Sequence, residues 1–141
     1  MAEKRNRDGK NQQRIKGVVE SFRFSAEKLV SLSAEEVYSA LFPTKNSVDL
    51  PSSSSIKYLI RSPKFASCPD EKDYLAAVIL ALSFLPGEEG RILWNYYFRG
   101  DHKEEKNYSR SGFYRLRSKA LSDFFTAIDK PFMVVPDPEE A

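Results

Sequence analysis

The stretch "SCPDEKDYLAAVILALSFL", residues 67 to 85, decides the fold class of this chain. Its large aliphatic side chains recur every three or four residues, which is the spacing of one buried helix face: Leu75, Val78, Ile79, Leu82 and Leu85. Ser67 is a plausible N-cap, and Pro69 suits the first turn of a helix. Acids follow the proline, where the positive end of the helix dipole favours them. The stretch predicts a core helix.

Helical signals also occupy the segments on either side of this stretch. Ser33 and Glu36 form a capping box for an upstream helix, which Pro43 should end. Residues 54–62 suit one short helix, and Gly100 is a candidate cap at the end of another. The apolar residues between Arg14 and Leu32 follow neither the helical nor the strand period cleanly, so this segment indicates a helix only weakly. No stretch alternates as a strand does, so we expect an all-α fold, a small helical domain.

Charge is unevenly distributed along the 141 residues, although the net charge is only +2. The segment 1–16 contains six Lys or Arg and two acids, whereas the segment 129–141 contains one Lys and four acids. We therefore divide the chain into four parts: a disordered basic N-terminal arm (1–13), a helical segment with a linker (14–50), a helical domain (51–130) and an acidic tail (131–141).

The chemistry-bearing residues argue against catalysis. Cys68 is the only cysteine and His102 the only histidine, so the chain has neither an internal disulfide nor a set of metal ligands. Cys68 lacks a nearby base and is interpreted as an inert thiol. We expect no enzyme activity and no cofactor. No signal segment and no apolar run of membrane-spanning length is found, which predicts a cytoplasmic protein with no membrane partner.

The last helical stretch, "YSRSGFYRLRSKAL" at residues 108 to 121, has two different faces. Ser109 is the predicted N-cap, and apolar residues from Phe113 to Ile128 recur at helical spacing. The opposite sector is polar and basic, with no acid before Asp123. Such a face suits the phosphates and base edges of a DNA major groove. A solvated helix face without a ligand remains the alternative.

Two strings in this region resemble a known family. "FLPGEEGRILWNYYFRGD" (84–101) and "YSRSGFYRLRSKALSDF" (108–124) are similar to the helix-turn-helix of sigma factor region four, and to small phage late transcriptional regulators of the ArpU and RinA type. The resemblance covers about residues 73–128. One departure stands out. Only "DHKEEKNY" separates Gly100 from Ser109, where the family usually has a full helix.

The resemblance implies a phage-derived, DNA-binding transcriptional regulator with a C-terminal sigma region-four-like helix-turn-helix. Its recognition helix would be residues 109–128, and its partner double-stranded DNA. The implied DNA-binding residues are Ser109, Arg110, Ser111, Gly112, Tyr114, Arg115, Arg117, Ser118 and Lys119. Arg117 lies near the apolar sector, so an ion pair with an acid is an equal alternative. The aromatic cluster is interpreted as scaffold: Trp94, Tyr96, Tyr97 and Phe98.

Three further expectations concern partners. A protein-interaction module could contact RNA polymerase and never DNA, because sigma region four also binds the polymerase. A small subunit of a phage packaging machine is a variant of that alternative. Apolar residues between 14 and 60 suggest a homodimer.

Overall fold

The computed structural model describes the backbone of residues 2–42 and 50–129, and the side chains of residues 9–42 and 50–129. Pro43 and the acidic tail lie outside these residues. The described parts contain no strand, and their α-helices are α1 (Ala2–Leu41), α2 (Ser53–Arg61), α3 (Pro69–Ser83), α4 (Glu89–Leu93) and α5 (Arg110–Ile128). The all-α prediction is therefore confirmed.

Helix α1 is 40 residues long and is broken once, at Ser33. The backbone there is extended (φ −161°, ψ 94°), as expected of an N-cap residue. The predicted disorder of residues 1–13 is wrong for 2–13, which form the first turns of α1. Lys, Arg, Glu and Gln are good helix formers, and extending an anchored helix requires no new nucleus.

One hydrophobic core joins α1 to the C-terminal helices. From α1 it receives Ile15, Val19, Phe22, Leu29, Val37, Ala40 and Leu41. The Phe22 ring meets Trp94 edge-on at 5.8 Å between centroids and Phe98 at 5.1 Å. The predicted division at residue 50 therefore does not separate two cores. The apolar residues that suggested a homodimer are largely used inside the chain, and the dimer stays a prediction.

Helix α3 lies at the centre and forms much as the sequence predicts. Four of the five predicted core residues are buried, while Leu85 lies beyond the helix end and is half-buried. Ser67 as the N-cap is wrong, because the cap residue is Cys68. Pro69 occupies the first helical position, which moves the cap to the residue directly before it.

Gly90 lets α4 approach α3 very closely. A Cβ atom on Gly90 would lie 2.2 Å from the backbone oxygen of Leu82. After α4 the chain continues as a π-helical turn, Trp94–Phe98, and then reverses at Gly100. Gly100 has a φ of 67°, and the Asp101 amide donates to the Asn95 carbonyl at 2.8 Å. The predicted end of this helix is confirmed.

The connector between Gly100 and α5 contains one 3-10 turn, Lys103–Asn107. The full middle helix of the sigma-like pattern has no counterpart there. Instead, α4 and its π turn pack directly against α5, with the Tyr96 and Phe113 rings 5.5 Å apart. A 3-10 turn of five residues therefore precedes α5, where the resemblance implies a full helix.

Candidate nucleic-acid interface

Helix α5 is capped and anchored as the sequence predicts. The Ser109 hydroxyl accepts a hydrogen bond from the Gly112 amide at 3.0 Å. The buried side chains of the helix are Phe113, Ala120, Leu121, Phe124 and Phe125. The cap uses the Ser109 hydroxyl as an acceptor, and the DNA contacts predicted for Ser109 and Gly112 stay predictions.

The first two turns of α5 expose four of the predicted DNA-binding residues. Arg110, Ser111, Tyr114 and Arg115 are exposed there. Within the described residues, neither Arg110 nor Arg115 lies within ion-pair distance of an acid. The prediction that Ser111 and Arg115 project from an anchored helix is consistent with this placement.

The C-terminal half of α5 is covered below Tyr114, but it stays open below Arg115, where Lys119 and Thr126 are exposed. With 100° per residue, Leu121 and Phe125 fall within about 20° of Tyr114 around the helix axis. Both are buried, whereas Tyr114 is 45% exposed. The candidate surface therefore ends at Tyr114 on this side, whereas the sector of Arg115 stays open as far as Thr126.

Arg117 faces the aromatic scaffold, and no acid lies within ion-pair distance of it among the described residues, so its phosphate contact stays a prediction. Its Nη1 atom donates to the Tyr96 hydroxyl at 3.2 Å. The guanidinium lies 5.5 Å from the centroid of the Tyr96 ring and 5.7 Å from that of Tyr114. Arg117 therefore packs between the π-helical turn and Tyr114 of α5.

Ser118 and Lys119 have surroundings that weaken the DNA contact predicted for them. The Ser118 hydroxyl oxygen is buried. Lys119 Nζ lies 3.1 Å from Glu89 and 2.9 Å from Asp123, so two carboxylates offset its charge. Asp123 is four residues along the same helix and could be anticipated from the sequence, whereas Glu89 comes from α4.

Glu89 is the buried acid of this cluster, with 4% of its surface exposed. Burial raises the pKa of its carboxyl, and a hydrogen bond with Asp123 raises it further. The same hydrogen bond lowers the pKa of Asp123. The cluster of Glu89, Lys119 and Asp123 connects the start of α4 to the middle of α5. It does not include the first turns of α5.

The acids near the start of α5 are largely paired. Tyr108 donates a hydrogen bond to Glu88, which raises the pKa of the tyrosine. Arg91 bridges Glu88 at 3.3 Å and Glu104 at 3.4 Å. The negative charges of Glu88 and Glu104 are therefore partly offset by Arg91 beside the start of α5.

A second surface feature lies between α1 and α3. It is an open groove of about 650 Å³ whose lining includes Glu20, Phe24, Asp70, Glu71 and Tyr74. Phe24 is 61% exposed, and Glu71 of the lining is paired with Lys28 at 3.1 Å. Its acids make this groove unsuitable for DNA.

Within residues 2–42 and 50–129, no helix combines the length and apolarity needed to cross a bilayer. Across the same described ranges, no three His, Cys, Asp or Glu side chains group as metal ligands. Comparison with protein-family models, with curated proteins and with solved structures finds no match to this chain.

Proposed function

We propose that this chain is a DNA-binding transcriptional regulator of the phage type, which places the first turns of α5 in the major groove of duplex DNA. The observation that carries the proposal is the exposure of Arg115 and Ser111 on a helix whose opposite face is buried. Arg forms bidentate hydrogen bonds with the edge of guanine, and Ser forms hydrogen bonds with either bases or phosphates.

The shape of this surface suits a short recognition element. Arg110 and Arg115 are separated by about 7.5 Å along the helix axis, which corresponds to roughly two base-pair steps. Ser111 and Tyr114 lie between them around the exposed arc. The α4–α5 pair would serve as a reduced helix-turn-helix, with the 3-10 turn in place of the middle helix.

Selection of bound fragments from random duplex DNA, at two salt concentrations, tests this function. A reproducible motif that survives the higher salt is expected, because base contacts add specificity to the salt-sensitive phosphate term. Enrichment of no sequence at either concentration would contradict sequence-specific regulation.

A protein-binding role is the second candidate, and the groove between α1 and α3 favours it. Its exposed Phe24 and its acids suit a basic, partly apolar segment of a partner such as RNA polymerase or a phage packaging subunit. Retention of purified polymerase by the chain, with loss of retention in Phe24→Ser and no DNA motif, would favour this role.

A further inference from the structure

The first part of α1 carries a high concentration of positive charge. Residues 1–16 contain six Lys or Arg and two acids. Between Gly9 and Val19 there is no acid, and Lys10 and Lys16 are exposed, while the exposed Arg14 is paired with Asp129. A basic segment of this kind attracts polyanions without requiring a particular sequence.

This part of α1 extends beyond the core. Among the described side chains, Ile15 is the first buried one on the helix, so residues 2–14 add about 20 Å of helix before it. A Cβ atom on Gly9 would meet nothing within 4 Å. An isolated helix of this length is marginal by itself, and a bound surface would stabilise it.

Arg14 fixes the base of the extension to the far end of α5. Its guanidinium bonds both carboxylate oxygens of Asp129, at 2.7 and 3.0 Å, and lies 4.3 Å from the centroid of the Phe125 ring. Helix α5 is about 28 Å long, which approaches one turn of B-DNA. The extension therefore begins roughly one helical turn of DNA away from Arg110.

We propose that residues 2–16 form a second DNA contact, which binds the phosphate backbone and reads no bases. This inference rests on the proposed function of α5. Charge complementarity carries it, since the segment offers cations in excess and no apolar stripe for a protein groove. Two contacts at opposite ends of α5 would fix the orientation of that helix on the duplex.

The test compares two variants of the full chain that remove the same charge. Lys10→Gln/Lys16→Gln alters the extension, whereas Arg23→Gln/Lys57→Gln removes two exposed charges farther along α1 and on α2. Binding is measured by fluorescence anisotropy over a sodium chloride series, on the selected duplex and on a scrambled duplex.

We expect the extension variant to reduce the slope of log K against log salt by up to about 1.8, at about 0.9 for each phosphate that a removed lysine neutralised. The reduction should be equal on both duplexes, and the control variant should match the wild type. Equal slopes for the wild type, the extension variant and the control variant would overturn the second contact. If Arg115→Ala still binds the selected duplex more weakly than the wild type does, the function proposed for α5 is left intact. Absence of DNA binding by the wild type would overturn both.

Discussion

Substituting Gly90 with alanine tests the packing that supports α5. The added Cβ would lie 2.2 Å from the Leu82 oxygen, 3.1 Å from the Leu82 carbonyl carbon and 3.1 Å from Leu50 Cδ1. Two of these atoms belong to the backbone of α3, so a side-chain rotation cannot relieve the clash. Helices α3 and α4 would have to separate by about 1 Å to restore ordinary contact.

The magnitude follows from what such a separation loosens. Ile92 and Leu93 of α4 are 2% and 0% exposed, so a shift of α4 leaves gaps beside both side chains. Overpacking in a core costs about 1–3 kcal/mol, and a clash between backbones belongs at the upper end. We expect Gly90→Ala to lower the free energy of unfolding by about 3 kcal/mol and the melting temperature by about 10 °C.

Urea unfolding followed by the fluorescence of Trp94, the only tryptophan, measures this change. Gly17→Ala is the matched control, because it lies within α1 and a Cβ there meets nothing within 4 Å. The control should gain about 0.5–1 kcal/mol from higher helix propensity. A loss below about 1 kcal/mol in Gly90→Ala would refute the close approach of α4 to α3.

Three further changes test the area around α5. Glu89→Gln should be more stable than the wild type at pH 7 and equal to it below about pH 4. The pKa of Glu89 is raised in the folded protein, so its ionised form opposes folding as the pH rises. Urea unfolding across a pH series measures the difference. Ser109→Ala should lose about 1 kcal/mol of stability by removing the helix cap, while Ser109→Gly should lose only a few tenths, and an equal loss in both would argue against the cap. Arg117→Met should leave the salt dependence of DNA binding unchanged, since its guanidinium faces Tyr96; a slope reduced by about 0.9 in anisotropy titrations would show a phosphate contact after all.

Local signals in the sequence predict most of the helices. Apolar spacing gives α3 and the buried face of α5, Ser33 and Ser109 mark helix starts, and Gly100 marks an end. These features depend on neighbours in the sequence. The long run from Ala2 to Leu41 is harder to anticipate, because its apolar residues pack against several elements and its polar start lacks an amphipathic pattern.

The candidate site shows the limit of reading one helix by its faces. Lys119 belongs to the basic sector in sequence, but Glu89 arrives from α4 and offsets its charge. Arg117 finds an aromatic partner, Tyr96, that lies 21 positions earlier. Burial of Leu121 and Phe125 likewise depends on helices packed around α5. Partners far apart in sequence thus engage Arg117 and offset the charge of Lys119, which the faces of α5 alone do not reveal.

The central claim, that the exposed first turns of α5 bind DNA, is tested most directly by titrating the selected duplex with Arg115→Ala and Lys119→Ala side by side. The structure leaves Arg115 exposed, whereas Lys119 is held by Glu89 and Asp123. We predict that Arg115→Ala weakens binding by about 1–3 kcal/mol, and that Lys119→Ala changes it by less than about 0.5 kcal/mol. Equal affinities for Arg115→Ala and the wild type would contradict the account.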